Sequence, residues 1–125
     1  MKKILVTGGT GLVGTYLKKI LPEATYVSSK DYNLLDKKDV QRMFSDIKPR
    51  KIIHLAARVG GVHHNIQEPV KYFEENLLMN TFVLQESFLN KVESFLGMLS
   101  SCIYPNDVKN YPIKEENLLE GAPHQ

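Results

Sequence analysis

Ile4-Leu5-Val6-Thr7-Gly8-Gly9-Thr10-Gly11-Leu12-Val13-Gly14 is the stretch that decides the fold of this chain. A β-branched apolar run leads directly into glycines, and an amphipathic helical pattern follows them. Glycine accepts backbone angles that a side chain forbids, and its missing Cβ lets a diphosphate approach the main chain. The N–H groups and dipole of the helix N-terminus then face the anion. Both spacings of the dinucleotide fingerprint fit, and they predict a phosphate-binding turn formed by Gly8, Gly9, Thr10, Gly11, Leu12, Val13 and Gly14.

Strand and helix patterns alternate along the rest of the chain. Strands are predicted at 3–7, 25–28, 52–55 and 95–99, and Asp36 is a good N-cap for a second helix. A long helix over 69–90 is expected to point Val70, Phe73, Leu77, Leu84 and Phe88 inward. Residues 104–125 show no periodicity and are predicted to form an extended loop. This order predicts an α/β fold, a Rossmann-like doubly wound parallel sheet with helices on both faces and the strand order 3-2-1-4.

Length and composition narrow the class of protein. The 125 residues fit one domain, and 16 basic against 14 acidic residues leave a net charge of +2 with no basic cluster. We therefore expect no nucleic-acid partner. The one cysteine allows no internal disulfide, and no stretch has the length of a signal peptide or a membrane span. A cytoplasmic protein without a membrane partner is expected. The adjacent His63 and His64 would point apart, so no metal site is predicted.

Polar residues follow the second predicted strand, where the adenosine ribose of a dinucleotide lies in such folds. Ser29 and Lys30 offer a hydroxyl and a cation, which suit the 2′-phosphate of NADP. Asp31 could instead bind the two hydroxyls of NAD, so NAD stays open. An ordinary polar turn would look the same. The pattern favours NADP.

Two further segments follow the third and fourth predicted strands. His54-Leu55-Ala56-Ala57-Arg58-Val59-Gly60-Gly61 has small residues where open α/β sheets bind ligands, although His54 itself is expected to face the core. Leu99-Ser100-Ser101-Cys102-Ile103-Tyr104-Pro105 carries a hydroxyl that could bind a substrate carbonyl and a thiol that could exchange a proton. Cys102 could equally be an inert, small packing residue.

At these residues the sequence resembles the extended short-chain dehydrogenase/reductases. The resemblance covers nearly the whole chain through ILVTGGTGLVG, VSSKD, HLAARVGG, SSCIYP and NYPIKEENLLEGAPH. It implies that Gly8 to Gly14 hold NADP, that Ser100 is the catalytic serine and that Cys102 is the acid/base of an epimerisation. Asn76 would have a supporting role on the long helix. The implied activity is the NADPH-dependent conversion of GDP-4-keto-6-deoxy-mannose to GDP-L-fucose, by a homodimer when full length.

One departure from the family qualifies that expectation. The family's catalytic Tyr-x-x-x-Lys pair has no counterpart here, because Tyr104 and Tyr111 lack the lysine and Tyr16, Tyr26 and Tyr32 lie in the wrong elements. Residues 1–125 are therefore expected to be an incomplete NADP-binding Rossmann domain, truncated after the fourth strand, without the substrate domain and inactive alone. Two alternatives stay open: another extended nucleotide-sugar epimerase, reductase or dehydratase, and a non-catalytic dinucleotide-binding or partner-binding module.

Overall fold

The computed structural model describes residues 3–108 and 111–123. Asn110 and His124, the first and last residues of the stretch NYPIKEENLLEGAPH quoted above, lie outside the described residues. The strands are β1 (Ile4–Thr7), β2 (Thr25–Val27), β3 (Lys51–His54) and β4 (Ser94–Gly97). The α-helices are α1 (Leu12–Ile20), α2 (Lys37–Ile47), α3 (Gly61–Gln67) and α4 (Pro69–Leu89). The short 3₁₀ turn Glu115–Leu119 interrupts the predicted loop over 104–125, and another, Ser101–Ile103, comes just before it. Helix α3 was not predicted.

The four strands form one parallel sheet, but its order is β2-β1-β3-β4, so the predicted order 3-2-1-4 is wrong. β2 has three residues, of which only Val27 is buried. Such a strand suits an edge, whereas inner parallel strands are covered on both faces. β3 instead pairs with β1 over four residues and buries Ile52 and His54. The crossover rule fixes the hand of a connection, and it does not choose the neighbouring strand.

The boundaries of α2 follow from its flanking residues. Asp36 caps the N-terminus as predicted, because its side chain accepts a hydrogen bond from the N–H of Lys38 at 2.9 Å. At the other end Lys48 adopts the left-handed conformation, with φ 51°, and Pro49 follows it. Val40, Met43 and Phe44, which follow helical spacing, are buried on one face of α2.

The main core lies between one face of the sheet and the helices α2 and α4. It consists of Leu5, Val27, Leu34, Val40, Met43, Phe44, Ile52 and Val83. The residues predicted to point inward from α4 are exposed by half or more: Val70, Phe73, Leu77, Leu84 and Phe88. The prediction of that face is wrong because apolar residues surround α4, so their spacing alone does not select the buried side. Among the described residues, no helix is both long and apolar enough to cross a membrane.

Candidate functional site

A cavity of ≈ 650 Å³ opens at the carboxyl ends of the strands. Its walls come from the glycine turn after β1, the end of β2, the segments after β3 and β4, and one side of α4. The residues that line it include Gly8, Thr10, Gly11, Leu12, Val13, Gly14, Ser28, Ser29, Tyr32, Ala56, Arg58, Glu75, Met79 and Met98. Ligands of open parallel sheets bind at this edge.

Three glycines of the turn, Gly8, Gly9 and Gly14, have no room for a side chain. Gly8 has φ +71°, and a Cβ there would lie 2.8 Å from the backbone nitrogen of Ala56. A Cβ on Gly14 would lie 2.6 Å from the carbonyl oxygen of Gly8. Gly9 is buried against Tyr26 and is not among the residues lining the cavity. The turn therefore presents main chain to the cavity, as the sequence predicted.

The N-terminus of α1 offers hydrogen-bond donors to that cavity. Gly11 is the N-cap residue, no side chain caps the helix, and its first turn contains no acidic residue. By helix geometry, the N–H groups of Leu12, Val13 and Gly14 have no acceptor within the helix. A diphosphate fits this arrangement, because it supplies the missing acceptors and meets the positive end of the helix dipole.

At the end of β2, the carboxylate of Asp31 is held within its own turn. Its Oδ2 accepts hydrogen bonds from both the N–H and the hydroxyl of Ser28, each at 2.8 Å. These two bonds hold the pKa of Asp31 below its ordinary value. Ser29 lines the cavity, whereas Lys30 is exposed and lies outside the lining residues.

Arg58 supports the opposite wall of the cavity, a role that sequence reasoning did not identify. Its guanidinium pairs with Glu75 at 2.8 Å and lies 5.0 Å from the ring centre of Tyr72. The hydrogen bond to Glu75 raises the pKa of Arg58. Asn76 accepts a hydrogen bond from the Arg58 N–H at 2.8 Å and donates to its carbonyl at 3.0 Å. Asn76 thus holds the main chain after β3, in line with a supporting role.

Ser100 and Cys102 are exposed and are not among the residues lining the cavity. The Ser100 hydroxyl oxygen accepts a hydrogen bond from the N–H of Cys102 at 3.1 Å and so caps the short turn 101–103. The structure brings these two residues next to each other but not next to the glycine turn. Their catalytic roles stay predictions.

Two other candidate groups have structural contacts. Tyr26 has Lys30 four residues after it, but it lies in β2, and its hydroxyl donates to the carbonyl of Leu21 at 3.0 Å. His64 makes a hydrogen bond through Nδ1 to the carbonyl of Gly60 at 2.7 Å. Within residues 3–108 and 111–123, no group of three or more metal-binding side chains occurs.

The segment between β2 and α2 also lines the cavity and was missed. Tyr32, Asn33, Leu34 and Leu35 all contribute to its wall. Leu34 is 8% exposed and belongs to the core as well. The sequence contains one signal for this segment, the pair Leu34-Leu35 directly before Asp36. Two adjacent apolar residues in a polar connection indicate that the connection packs against a buried surface.

A parallel sheet with a glycine-rich turn and an open helix N-terminus at its carboxyl edge defines a dinucleotide-binding domain of the Rossmann type. The sequence profile of the NAD dependent epimerase/dehydratase family matches residues 4–125. The chain belongs to this family.

Individual relatives are similar to this chain over nearly its whole length. A probable GDP-L-fucose synthase of Drosophila melanogaster is 40% identical over 131 residues, covering 99% of this chain and 40% of the relative. A GDP-L-colitose synthase of Yersinia pseudotuberculosis is 37% identical, covering 95% and 40%. The crystal structure of a GDP-L-fucose synthetase from Naegleria fowleri bound to NADP matches with TM-score 0.81 and 36% identity, over 98% of this chain and 38% of that one. The chain thus spans about 40% of the length of the curated relatives it matches.

Proposed function

We propose that this chain is the NADP-binding part of an enzyme that converts GDP-4-keto-6-deoxy-mannose to GDP-L-fucose. The observation that carries the proposal is the turn at Gly8 to Gly14, whose positions 8, 9 and 14 admit only glycine and which leaves the amides of α1 open to a diphosphate. The similarity to GDP-L-fucose synthases, one of them bound to NADP, supports the substrate and the cofactor.

The residues at the end of β2 support NADP over NAD. Oδ2 of Asp31 is occupied by two hydrogen bonds from Ser28, and Asp31 is not among the residues lining the cavity, whereas Ser29 is. Lys30 adds a cation close in sequence that can reach a 2′-phosphate. Lys30→Ala should weaken NADPH binding about tenfold and leave NADH binding unchanged, since one charged hydrogen bond is lost. Equal losses for both cofactors, measured by calorimetry, would contradict this selectivity.

The proposed chemistry divides between two side chains. When bound, NADPH supplies the hydride that reduces the sugar at C4. Ser100 would donate its hydroxyl hydrogen to the keto oxygen and so stabilise negative charge there. Cys102, as the thiolate, would remove the proton from the carbon beside the keto group; inversion at C3 and at C5 then requires a second acid, not among the residues assigned here, to protonate the opposite face of the enolate. Both residues must approach the cofactor site for this to occur.

Product analysis tests the reaction. The longest natural polypeptide that contains these 125 residues should convert GDP-4-keto-6-deoxy-mannose and NADPH into GDP-L-fucose, with deuterium incorporated at C3 and C5 in heavy water. Cys102→Ser should slow that exchange by about 10²–10⁴ and leave NADPH affinity unchanged. Exchange at the wild-type rate would reduce Cys102 to a packing residue. A matched Cys102→Ala variant distinguishes loss of the acid/base from loss of volume.

A second candidate substrate has a specific observation behind it. The similarity to a GDP-L-colitose synthase, at 37% identity, is close to the similarity to the GDP-L-fucose synthases. Turnover of the GDP-linked precursor of colitose, without turnover of GDP-4-keto-6-deoxy-mannose, would replace the first candidate. NADPH binding without turnover of any nucleotide sugar would favour the non-catalytic module.

We further propose that the full-length protein is a cytoplasmic homodimer. The apolar side of α4 supports association, because Phe73, Leu77 and Phe88 are each more than half exposed. Light scattering on the full-length protein should give twice the monomer mass, and a monomer at micromolar concentration would contradict it.

A further inference from the structure

A hydrogen-bonded chain of three side chains crosses the fold behind the glycine turn. The hydroxyl of Thr7, the last residue of β1, lies 2.7 Å from Nδ1 of His54, the last residue of β3. Nε2 of the same ring lies 2.9 Å from Oδ1 of Asn80 on α4. Thr7 is fully buried and His54 is 4% exposed, whereas Asn80 lies on an exposed part of α4. These hydrogen bonds therefore connect the surface of α4 to the carboxyl ends of β1 and β3.

The directions of these hydrogen bonds define one protonation state. Oγ1 of Thr7 also accepts the N–H of Ala56, at 3.4 Å, so its own hydrogen is available for Nδ1 of His54. Nδ1 then carries no hydrogen, and Nε2–H donates to the amide oxygen of Asn80. For a neutral imidazole these contacts select the Nε2–H tautomer, because the amide oxygen of Asn80 can only accept.

The same contacts lie directly beneath the phosphate-binding turn. Gly8 follows Thr7, and its Cα faces the backbone of Leu55 and Ala56, where even a methyl group would be 2.8 Å from the Ala56 nitrogen. The carbonyl of Thr7 accepts the N–H of Leu55 at 3.2 Å. Thr7 therefore contacts the segment after β3 through both its carbonyl and its hydroxyl. The position of Thr7 sets the spacing between the glycine turn and that segment.

We propose that His54 is a positioning residue of the dinucleotide site: as the neutral Nε2–H tautomer it ties Asn80 of α4 to Thr7 and so fixes the spacing between the glycine turn and Ala56. The inference rests on the proposed binding of NADP. His54 does not touch the cofactor in this scheme. It acts through Thr7 and Ala56, whose positions set where the diphosphate can bind.

Protonation of His54 opposes this arrangement. A second ring hydrogen, on Nδ1, would meet the hydroxyl hydrogen of Thr7 and leave that buried hydroxyl without an acceptor. The groups recorded against the ring are Thr7 of β1, Asn80 of α4 and Phe95 of β4, whose ring centre is 5.9 Å away, and none of them is charged. Burial lowers the pKa of His54 below 6.5, and the hydrogen bond to Asn80 opposes this shift in part.

The sign of the pH effect follows from that lowered pKa. Between the unfolded value of 6.5 and the lower folded value, the unfolded chain binds more protons, so stability falls as the pH drops through this window. Above pH 6.5 the stabilisation is fully present. NADP⁺ affinity should fall at the lower end of the same window, when the folded protein begins to protonate His54.

The experiment measures NADP⁺ binding to the chain by calorimetry from pH about 8 to about 5, a range that spans the histidine titration. His54→Phe keeps an aromatic ring and removes both hydrogen bonds, and it should weaken binding about tenfold at neutral pH. His54→Gln, which can still donate to Asn80, should recover part of the loss. Asn80→Ala, at the exposed end of the chain, avoids disturbing the core. His63→Asn, on exposed α3, is the matched control and should leave the profile unchanged.

The outcomes separate this inference from the proposed function. If the wild-type chain does not bind NADP⁺ at any pH, the proposed function fails. If the wild type binds, but His54→Gln and Asn80→Ala bind equally well with the same pH profile, His54 is only a packing residue. Long-range ¹H–¹⁵N spectra of the imidazole give an independent readout that needs no ligand. An Nδ1–H tautomer at neutral pH would overturn the inference even if a variant failed to fold.

Discussion

Gly14→Ala tests the physical basis of the phosphate-binding turn. The added methyl would lie 2.6 Å from the carbonyl oxygen of Gly8 and 2.8 Å from the Cα of Gly9, and both are backbone atoms. Ordinary contact begins near 3.4 Å, so the start of α1 must retreat by several tenths of an ångström. Alanine gains about 1 kcal/mol of helix propensity over glycine. Overpacking costs about 1–3 kcal/mol, and we expect it to dominate because main chain cannot rotate away.

Cofactor binding should suffer more than stability does. Each hydrogen bond from an amide to a charged phosphate contributes about 1.5–3 kcal/mol, so misplacing one donor should weaken NADPH binding by about 10- to 100-fold. Calorimetry gives the affinity, and circular dichroism during thermal unfolding gives the stability. Gly121→Ala is the matched control, because its methyl would meet only the Pro105 side chain, at 3.3 Å, and Gly121 does not line the cavity. Wild-type affinity in Gly14→Ala, or equal losses in both variants, would refute the reasoning.

Three further experiments test the buried face of α4, the cap of α2 and the ion pair on the cavity wall. Val83→Ala removes two fully buried methyl groups and should lower the free energy of unfolding by about 1.5–3 kcal/mol. Leu84→Ala, at a half-exposed position, should lower it by about 0.5 kcal/mol or less. Urea unfolding compares the two variants, and the reverse ranking would show that the originally predicted face of α4 is the buried one. Asp36→Ala removes the α2 cap and should cost about 1 kcal/mol in the same assay, and no measurable change would count against the cap. Arg58→Met should lower Tm because it leaves Glu75 unpaired on the cavity wall. Adding Glu75→Gln to this variant should recover part of the lost Tm. Strictly additive effects of the two substitutions would show that the pair is uncoupled.

The turn at the N-terminus of α1 could be predicted from sequence because its requirements are local. The order of strand, glycines and helix along the sequence predicts a turn that needs glycine, and the structure shows why at Gly8, through its backbone angle, and at Gly14, through its close contacts. The same holds for Asp36, whose capping bond reaches only two residues along the chain. Both of these features depend on neighbours in sequence.

Features that depend on distant neighbours were not predicted correctly. The order of the strands depends on how much of each strand is buried, and the three residues of β2 gave no sign of that. The buried side of α4 is selected by α2 and the sheet, so the apolar spacing of Phe73 and Leu77 was misleading. The chain from Thr7 through His54 joins residues 47 positions apart. No pattern within one element could reveal such a pairing.

The most direct measurement of the central claim is an amide ¹H–¹⁵N titration of the chain with NADPH. The account predicts that the largest chemical-shift changes occur at Leu12, Val13 and Gly14, whose N–H groups have no acceptor within α1. Smaller changes are expected at Ser29, which lines the cavity. A crystal structure of the complex should then show diphosphate oxygens within hydrogen-bonding distance of those amides. Saturable binding that leaves the amides of residues 12–14 unshifted, or no binding at all, would contradict the account.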